Sequence, residues 1–266
     1  MASFSVLNNI ASVNAQANVA STQINLTKAL TRLSSGLRIN SSGDDAAGLA
    51  VANAYRADIA VLNQGQRNAN DGLSTLQITD GALNNISTLI DRLATLATQS
   101  ASTSSSVDRD ALDLEFQDVL AEIDREANVA GVNAAATFSV FVSNDGADGV
   151  IEGDIDAADA TALGINALSV DTDANAAAAV AALSDAVTAL GSVQAQVGTI
   201  ENRLQYAISL ASSQIVNNQA AESRIRDANI AQESSNLTKY NILQQSGIAA
   251  LAQANASTAN VLALLR

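Results

Sequence analysis

Residues 26–50 read LTKALTRLSSGLRINSSGDDAAGLA. The leucines of this stretch recur at steps of four, three and four, at Leu26, Leu30, Leu33 and Leu37. That spacing places them on one stripe of a helix, as at the seam of a coiled coil. Small and turn-forming residues from Ser34 to Gly43 predict an interruption. Asp44 and Asp45 then precede an alanine-rich run, where acidic side chains favour a new helix N-terminus. The stretch predicts a helix, a break and a second helix, and its leucine stripe requires a partner elsewhere.

The composition restricts both the fold and the chemistry. The chain has 266 residues, no proline, cysteine, histidine or tryptophan, and 3% aromatic residues. Absence of proline permits long helices, and scarce aromatics disfavour a thick globular core. Without cysteine or histidine the chain lacks thiolate ligands and the commonest general base, so we predict no enzyme, no cofactor and no metal site. The net charge of −14 disfavours nucleic acid, whose phosphates require clustered Lys and Arg.

The N-terminal sequence lacks the basic region and continuous apolar block of a cleaved signal peptide. No run approaches the roughly 18 consecutive apolar residues of a membrane span. These features are typical of a cytoplasmic protein. They also fit a dedicated export route that reads an unfolded N-terminus without cleaving it.

Apolar spacing predicts five helical segments, over about 4–33, 44–100, 107–128, 172–223 and 228–265. Glycines in the segment 65–72 mark the weakest point of the second helix. The leucine stripe of the first helix is predicted to continue toward the N-terminus through Ile10, Val13, Ala17, Ala20 and Ile24. Residues 137–143 (TFSVFVS) alternate as a half-buried strand does, and 150–155 is its predicted partner. Residues 162–170 are predicted to be loosely structured.

Folding the chain back on itself satisfies all these stripes at once. The first helix then pairs with the last, and the second and third pair with the 172–223 helix. The predicted fold class is mainly α, an elongated antiparallel coiled-coil or helix bundle formed by the N- and C-terminal segments, with a small β-hairpin in the middle. Flanks rich in Asn, Gln and Ala suit packing against copies of the same chain, and repeated head-to-tail contact gives a filament. From the residues alone, a monomeric intramolecular coiled coil is equally compatible.

Long motifs at both ends support a more specific interpretation. They are LSSGLRINSSGDDAAGLAVAN (33–53), RNANDGLSTLQITDGAL (67–83), SRIRDANIAQESSNLTKYNILQQSGIAALAQAN (223–255) and NVLALLR (260–266). In these motifs the chain resembles the bacterial flagellins over about 1–130 and 172–266. The resemblance implies a terminal coiled-coil domain lining the filament core (1–42 with 227–266), a helical bundle domain (43–135 with 172–226) and a short variable hairpin section (136–171).

The resemblance also implies a function. It indicates a structural subunit that polymerises into the flagellar filament, the extracellular helical propeller for swimming. Such a chain would be exported unfolded through the flagellar type III apparatus and assembled at the tip. The implied partners are copies of the same chain, an export chaperone, and cap and junction proteins. The alternative is a hook–filament junction protein or a related secreted coiled-coil surface protein.

Two sets of contact residues follow. For subunit packing we predict Phe4, Leu7, Ile10, Leu26, Leu30, Leu33, Leu37, Leu251, Leu262 and Leu265. The resemblance further implies contact with a vertebrate Toll-like receptor through Arg92, Leu96 and Glu115. The sequence departs from many receptor-activating flagellins at Ala94 and Thr95, where those proteins carry arginine and glutamate.

The acidic segment 144–156 invites comparison with a calcium-binding loop. Asn144 and Asp148 stand at positions one and five of an EF-hand-like loop. Positions three and twelve are Gly146 and Ile155, which supply no side-chain ligand. A solvated hairpin is therefore the favoured interpretation of this segment.

Overall fold

The computed structural model describes residues 8–102, 108–144 and 146–264, with only the backbone of 147 and 258–264. The described residues form five α-helices, α1 (Ile10–Ser35), α2 (Ala46–Ser100), α3 (Arg109–Ala130), α4 (Asp173–Arg226) and α5 (Ile230–Leu264). Two strands, β1 (Ala136–Phe141) and β2 (Val150–Ile155), pair in antiparallel register from Ala136 opposite Ile155 to Phe141 opposite Val150. The mainly α fold class with its small hairpin is confirmed.

Capping residues fix the ends of the shorter helices. The Asn9 side chain accepts a hydrogen bond from the backbone N–H of Ser12, at 3.0 Å, and opens α1. Gly36 closes α1 at φ 72°, a left-handed conformation that glycine adopts without the steric cost of a Cβ. Asp108 and Gly131 cap α3 in the same way. Thus the small residues after Ser34 end the first helix where the sequence predicts a break.

The chain forms two compact units. The described residues within Met1–Ala57 and Asn218–Arg266 make up one, which we call the terminal unit. Asp58–Asn217 makes up the other, the central unit. Their boundaries lie inside α2 and α4, not at the interruptions near residues 42 and 226.

The core of the central unit is built from regularly spaced apolar residues of three helices. α4 supplies the longest row, with Leu190, Val193, Val197, Ile200 and Leu204 buried. α2 and α3 supply large buried side chains such as Leu83, Ile90, Phe116 and Ile123. Spacing by three and four residues keeps each row on one helix face, and the side chains of the three helices belong to one buried cluster.

The helix α2 runs unbroken through Gly65 and Gly72, as the predicted segment 44–100 requires. A Cβ added at Gly65 would lie 1.7 Å from the carbonyl oxygen of Val142, just beyond β1. At Gly72 it would lie 2.8 Å from a methyl group of Val140. The glycines therefore let the β1 side of the hairpin pack directly on the α2 backbone. Contact with the hairpin outweighs the cost of about 1 kcal/mol that a glycine imposes on a helix interior.

The connection from β2 to α4 is irregular but well packed. Its residues Ala158, Ile165 and Val170 are fully buried in the core. α3 holds this backbone through two carboxylates, since Asp124 accepts from the N–H of Ala160 at 2.8 Å and Asp113 from that of Val170 at 2.7 Å. The expectation of loose structure over 162–170 is therefore wrong.

Among the described helices, α4 alone is long and apolar enough to cross a membrane, with a mean hydropathy of 1.6 over 18 residues. Its residues Ala176, Ala179, Leu183 and Ala186 are buried in the central unit. Burial in the core accounts for part of this apolar composition, since 33% of the 18-residue window is buried.

One acidic side chain of the central unit is poorly accommodated. The Oε1 atom of Glu201, on α4, is buried without a hydrogen-bond partner among the described residues. Burial raises the pKa of the Glu201 carboxyl above its ordinary value, and the nearby Asp80 carboxylate raises it further. The folded protein therefore binds this proton more readily than the unfolded chain, and the stability so gained is lost as the pH rises through the raised pKa.

We expect the Glu201→Gln substitution to increase the free energy of unfolding at pH 7 by up to about 1 kcal/mol, since a neutral amide carries less desolvation cost. The increase should disappear at about pH 4, where Glu201 itself is protonated in the folded state. Denaturant unfolding at the two pH values measures both quantities. Asp185→Asn, which removes the same charge from an exposed position of α4, is the control. An equal gain at both pH values would contradict the prediction.

Candidate subunit-packing surface

The terminal unit is organised by the antiparallel pairing of α1 with α5. Near one end of the pair, the Asn9 side-chain amide donates to the carbonyl of Ala254 at 2.9 Å. At the other end, Arg32 Nη1 lies 3.4 Å from Glu233 Oε1. Residues early in α1 therefore face residues late in α5, as the fold prediction requires.

The face of α1 that meets α5 is made mostly of small, polar or half-buried residues. Its members follow steps of three and four, at Ser12, Ala15, Val19, Thr22, Leu26, Ala29 and Leu33. Among the described residues of α1, only Ala29 is fully buried. A Cβ added at Gly247 of α5 would lie 2.8 Å from a methyl group of Val19, so this glycine allows the two helices to approach closely. The pair consequently buries little apolar surface of its own.

The interruptions after α1 and before α5 lie beside each other. Leu37 and Asp227 form an antiparallel β-bridge. The N–H of Ala228 donates to the carbonyl of Gly36 at 2.9 Å. Ile39, within the first interruption, is 1% exposed. These contacts hold the two breaks together within the terminal unit.

Large apolar side chains remain uncovered on both helices of this unit. We call them the terminal apolar set, and its members are Ile10, Val13, Ile24, Leu30, Ile230, Ile242, Leu243 and Ile248. On α1 their exposure ranges from 56% at Leu30 to 64% at Ile10 and Val13. Burying such a side chain stabilises a complex by about 1.5–3 kcal/mol. These exposed aliphatic side chains are available for contact with other copies of the chain.

The expectation that Ile10–Ile24 continues the leucine stripe is wrong. All five residues of that row are exposed, and a different row faces α5. The step from Ile24 to Leu26 is two residues, which rotates the helix by about 200° and moves to another face. α1 therefore carries two rows, one toward α5 and one toward solvent.

The predicted packing residues divide accordingly. Ile10 and Leu30 are exposed and belong to the terminal apolar set. Four others are half-buried, namely Leu26, Leu33, Leu37 and Leu251. Leu262 lies in α5, but its side chain is outside the described part of the structure, as are Phe4, Leu7 and Leu265 altogether. The terminal apolar set also contains six residues outside the predicted packing residues, namely Val13, Ile24, Ile230, Ile242, Leu243 and Ile248.

The residues implied in receptor contact lie on α2 and α3 of the central unit. Arg92 Nε donates to Glu115 Oε1 at 2.9 Å, and both side chains are about half exposed. Leu96, by contrast, is 1% exposed and packs in the core. The expected contact of Leu96 with a receptor is therefore wrong, because the face of α2 that carries Leu93 and Leu96 is buried.

Charge is distributed very unequally between the two units. The terminal unit has eight Lys and Arg against five Asp and Glu, a formal charge of +3. The central unit has five against 22, a formal charge of −17. In the described part of the chain, no group of three or more acidic side chains is placed to hold a metal ion. The acidic residues of the chain are thus concentrated in the central unit.

Known proteins resemble this chain over nearly all of its length. The bacterial flagellin N-terminal helical region matches residues 6–141, and the C-terminal helical region matches 180–265. The flagellin of Halalkalibacterium halodurans is 38% identical over 97% of this chain and 98% of that protein. The flagellar filament 33 kDa core protein of Treponema phagedenis is 36% identical with the same coverage. The crystal structure of Bacillus cereus flagellin is 28% identical, covering 59% of this chain and 94% of that chain with a TM-score of 0.48.

Proposed function

This chain belongs to the bacterial flagellin family, and we propose that its copies join through the terminal apolar set. It is a structural protein of the extracellular flagellar filament, which serves motility. The observation that carries the proposal is the exposure of eight large aliphatic side chains on α1 and α5. Contact between unlike faces of successive copies does not close, and so it produces a filament.

Assembly should also strengthen the terminal helices. The α1–α5 seam is composed largely of small and polar side chains, and helices without an extensive apolar face are marginal in water. Covering the terminal apolar set by neighbouring copies supplies the missing burial. The ordering of these helices is therefore coupled to polymerisation.

We expect the helix content of the purified protein to rise when it polymerises, because α1 and α5 gain packing partners. Circular dichroism at 222 nm, recorded on the same sample before and after assembly, measures the change. Electron microscopy of that sample establishes whether filaments have formed. Filaments that appear with no gain in helix content would contradict the coupling, and an absence of filaments at high protein concentration would contradict the polymerisation.

The route to the filament is part of the same proposal. We infer that the chain leaves the cell unfolded through the flagellar export apparatus, escorted by a chaperone, and is added at the tip between cap and junction proteins. Its weakly packed terminal helices support this route, since a chain that is marginally folded at its ends is easily transported unfolded. We propose no catalytic activity.

For the Toll-like receptor, we propose a contact limited to Arg92 and Glu115. An exposed arginine held by a carboxylate is a suitable anchor for a protein partner. The buried Leu96 takes no part, and Ala94 and Thr95 beside it offer no charge. The contact is consequently small.

A further inference from the structure

A basic groove lies on the terminal unit, beside the end of α1. It has a volume of about 200 Å³ and lies between Thr27, Lys28, Thr31 and Arg32 of α1 and the loop residues Asn40 and Ser41. We use the name basic groove for this cavity. It shares no residue with the terminal apolar set.

The two cations of the groove are poorly satisfied. Within the described part of the chain, Lys28 is exposed and has no hydrogen bond or ion pair. Arg32 makes a single contact, from Nη1 to Glu233 Oε1 at 3.4 Å. The Nε atom of Arg32 is buried without an acceptor. Lys28 is therefore the cation of the groove that is free to bind a further carboxylate, with the positive charge of Arg32 beside it.

The carboxylate already present in the groove is otherwise engaged. Asp44 Oδ2 accepts hydrogen bonds from the N–H groups of Asn40 and Ser41, at 3.3 and 3.2 Å, and from the Ser41 hydroxyl at 3.3 Å. Hydrogen bonds from the Ser41 and Asn40 backbone lower the pKa of Asp44, and the positive charge of Arg32 lowers it further. Asp44 thus holds the loop and leaves Lys28 unpaired.

The charge distribution indicates what enters the groove. A cavity of this size accommodates a side-chain carboxylate but no large ligand. The central unit carries 22 acidic residues and a formal charge of −17, against +3 on the terminal unit. In a filament these carboxylates are brought close to every copy at high local concentration. We propose that the basic groove binds an acidic side chain from the central unit of a second copy, an inference that rests on the proposed polymerisation.

A zero-length carbodiimide cross-linker tests the contact directly, because it joins a lysine amine only to a carboxylate that touches it. Filaments are prepared from equal amounts of ¹⁴N- and ¹⁵N-labelled chain, so that mass spectrometry distinguishes links between copies from links within one. We expect Lys28 to be linked to an Asp or Glu of residues 58–217 of another copy, in filaments and not in monomers. Filaments in which Lys28 is unlinked, or linked only within its own chain, would overturn the proposal.

Assembly of a variant gives an independent measurement. We expect Lys28→Gln to raise the critical concentration for polymerisation about two- to fivefold, the range of an exposed to partly buried ion pair. The control is Lys239→Gln, which removes an equal charge from an exposed position of α5 outside the groove. It should change the critical concentration for polymerisation by no more than about 1.5-fold. Equal critical concentrations for the two variants would overturn the proposed binding of a carboxylate in the groove, while the proposed filament formation would still stand. Failure of the unmodified chain to polymerise would instead remove the proposed function.

Discussion

The Leu30→Asn variant should polymerise only at a critical concentration about 10- to 100-fold above that of the unmodified protein. Leu30 is 56% exposed on α1 and is a member of the terminal apolar set. Covering a leucine in an interface contributes about 1.5–3 kcal/mol, and each 1.4 kcal/mol corresponds to a tenfold change in equilibrium. Sedimentation of the polymer over a series of protein concentrations measures the shift.

The control for this variant is Leu114→Asn on α3. Leu114 is 71% exposed on the central unit, so the substitution is chemically identical but lies outside the terminal apolar set. It should change the critical concentration much less than Leu30→Asn does. Both variants should lower the thermal stability of the monomer only slightly, because neither leucine is buried there and asparagine has a modestly lower helix propensity than leucine. Assembly of Leu30→Asn at the concentration of the unmodified protein would contradict the placement of the packing surface.

The Gly65→Ala variant should lose about 1–3 kcal/mol of unfolding free energy in the central unit, the range for an overpacked core. Its new methyl group would lie 1.7 Å from the Val142 carbonyl oxygen and 2.4 Å from the carbonyl carbon. Both atoms are backbone, so no side-chain rotation relieves the clash, and the hairpin must move away from α2. Denaturant unfolding followed by circular dichroism measures the loss.

The same helix supplies the matched control, Gly81→Ala. A Cβ at Gly81 meets no atom within 4 Å, and Gly81 is exposed in the interior of α2. There the replacement should stabilise the protein by about 0.5–1 kcal/mol, because alanine loses less conformational freedom in a helix. The two variants should therefore have effects of opposite sign. Similar effects would show that the hairpin does not depend on close contact with Gly65.

Sequence spacing predicted the helices of the central unit well because each has a buried row of apolar residues. In α4, for example, Leu190 to Leu204 follow one face and are buried as expected. The hairpin was equally predictable, since alternation over 137–143 and a second strand over 150–155 are short-range features. Local patterns of this kind depend only on which face of a helix or strand packs against the core.

Features that depend on contacts between distant residues were less predictable. The weakness assigned to Gly65 and Gly72 follows from helix propensity alone, whereas their role is set by a hairpin some 70 residues further along. The two rows of α1 were interpreted as one stripe because rows that are two residues out of step look continuous in the sequence. Leu96 was carried over by resemblance, which conveys a residue's identity but not its burial.

The pairing of α1 with α5 also constrains the order in which the polypeptide can acquire its structure. Asn9 bonds to a residue 245 positions away, so α1 has no intramolecular partner until almost the whole chain has been synthesised. At about 5–20 residues per second, a ribosome would leave α1 waiting roughly 10–40 s. Contacts of such long range also close slowly once both partners exist. During synthesis, α1 of the nascent chain therefore has no helix to pair with, and it stays accessible to other proteins that bind it.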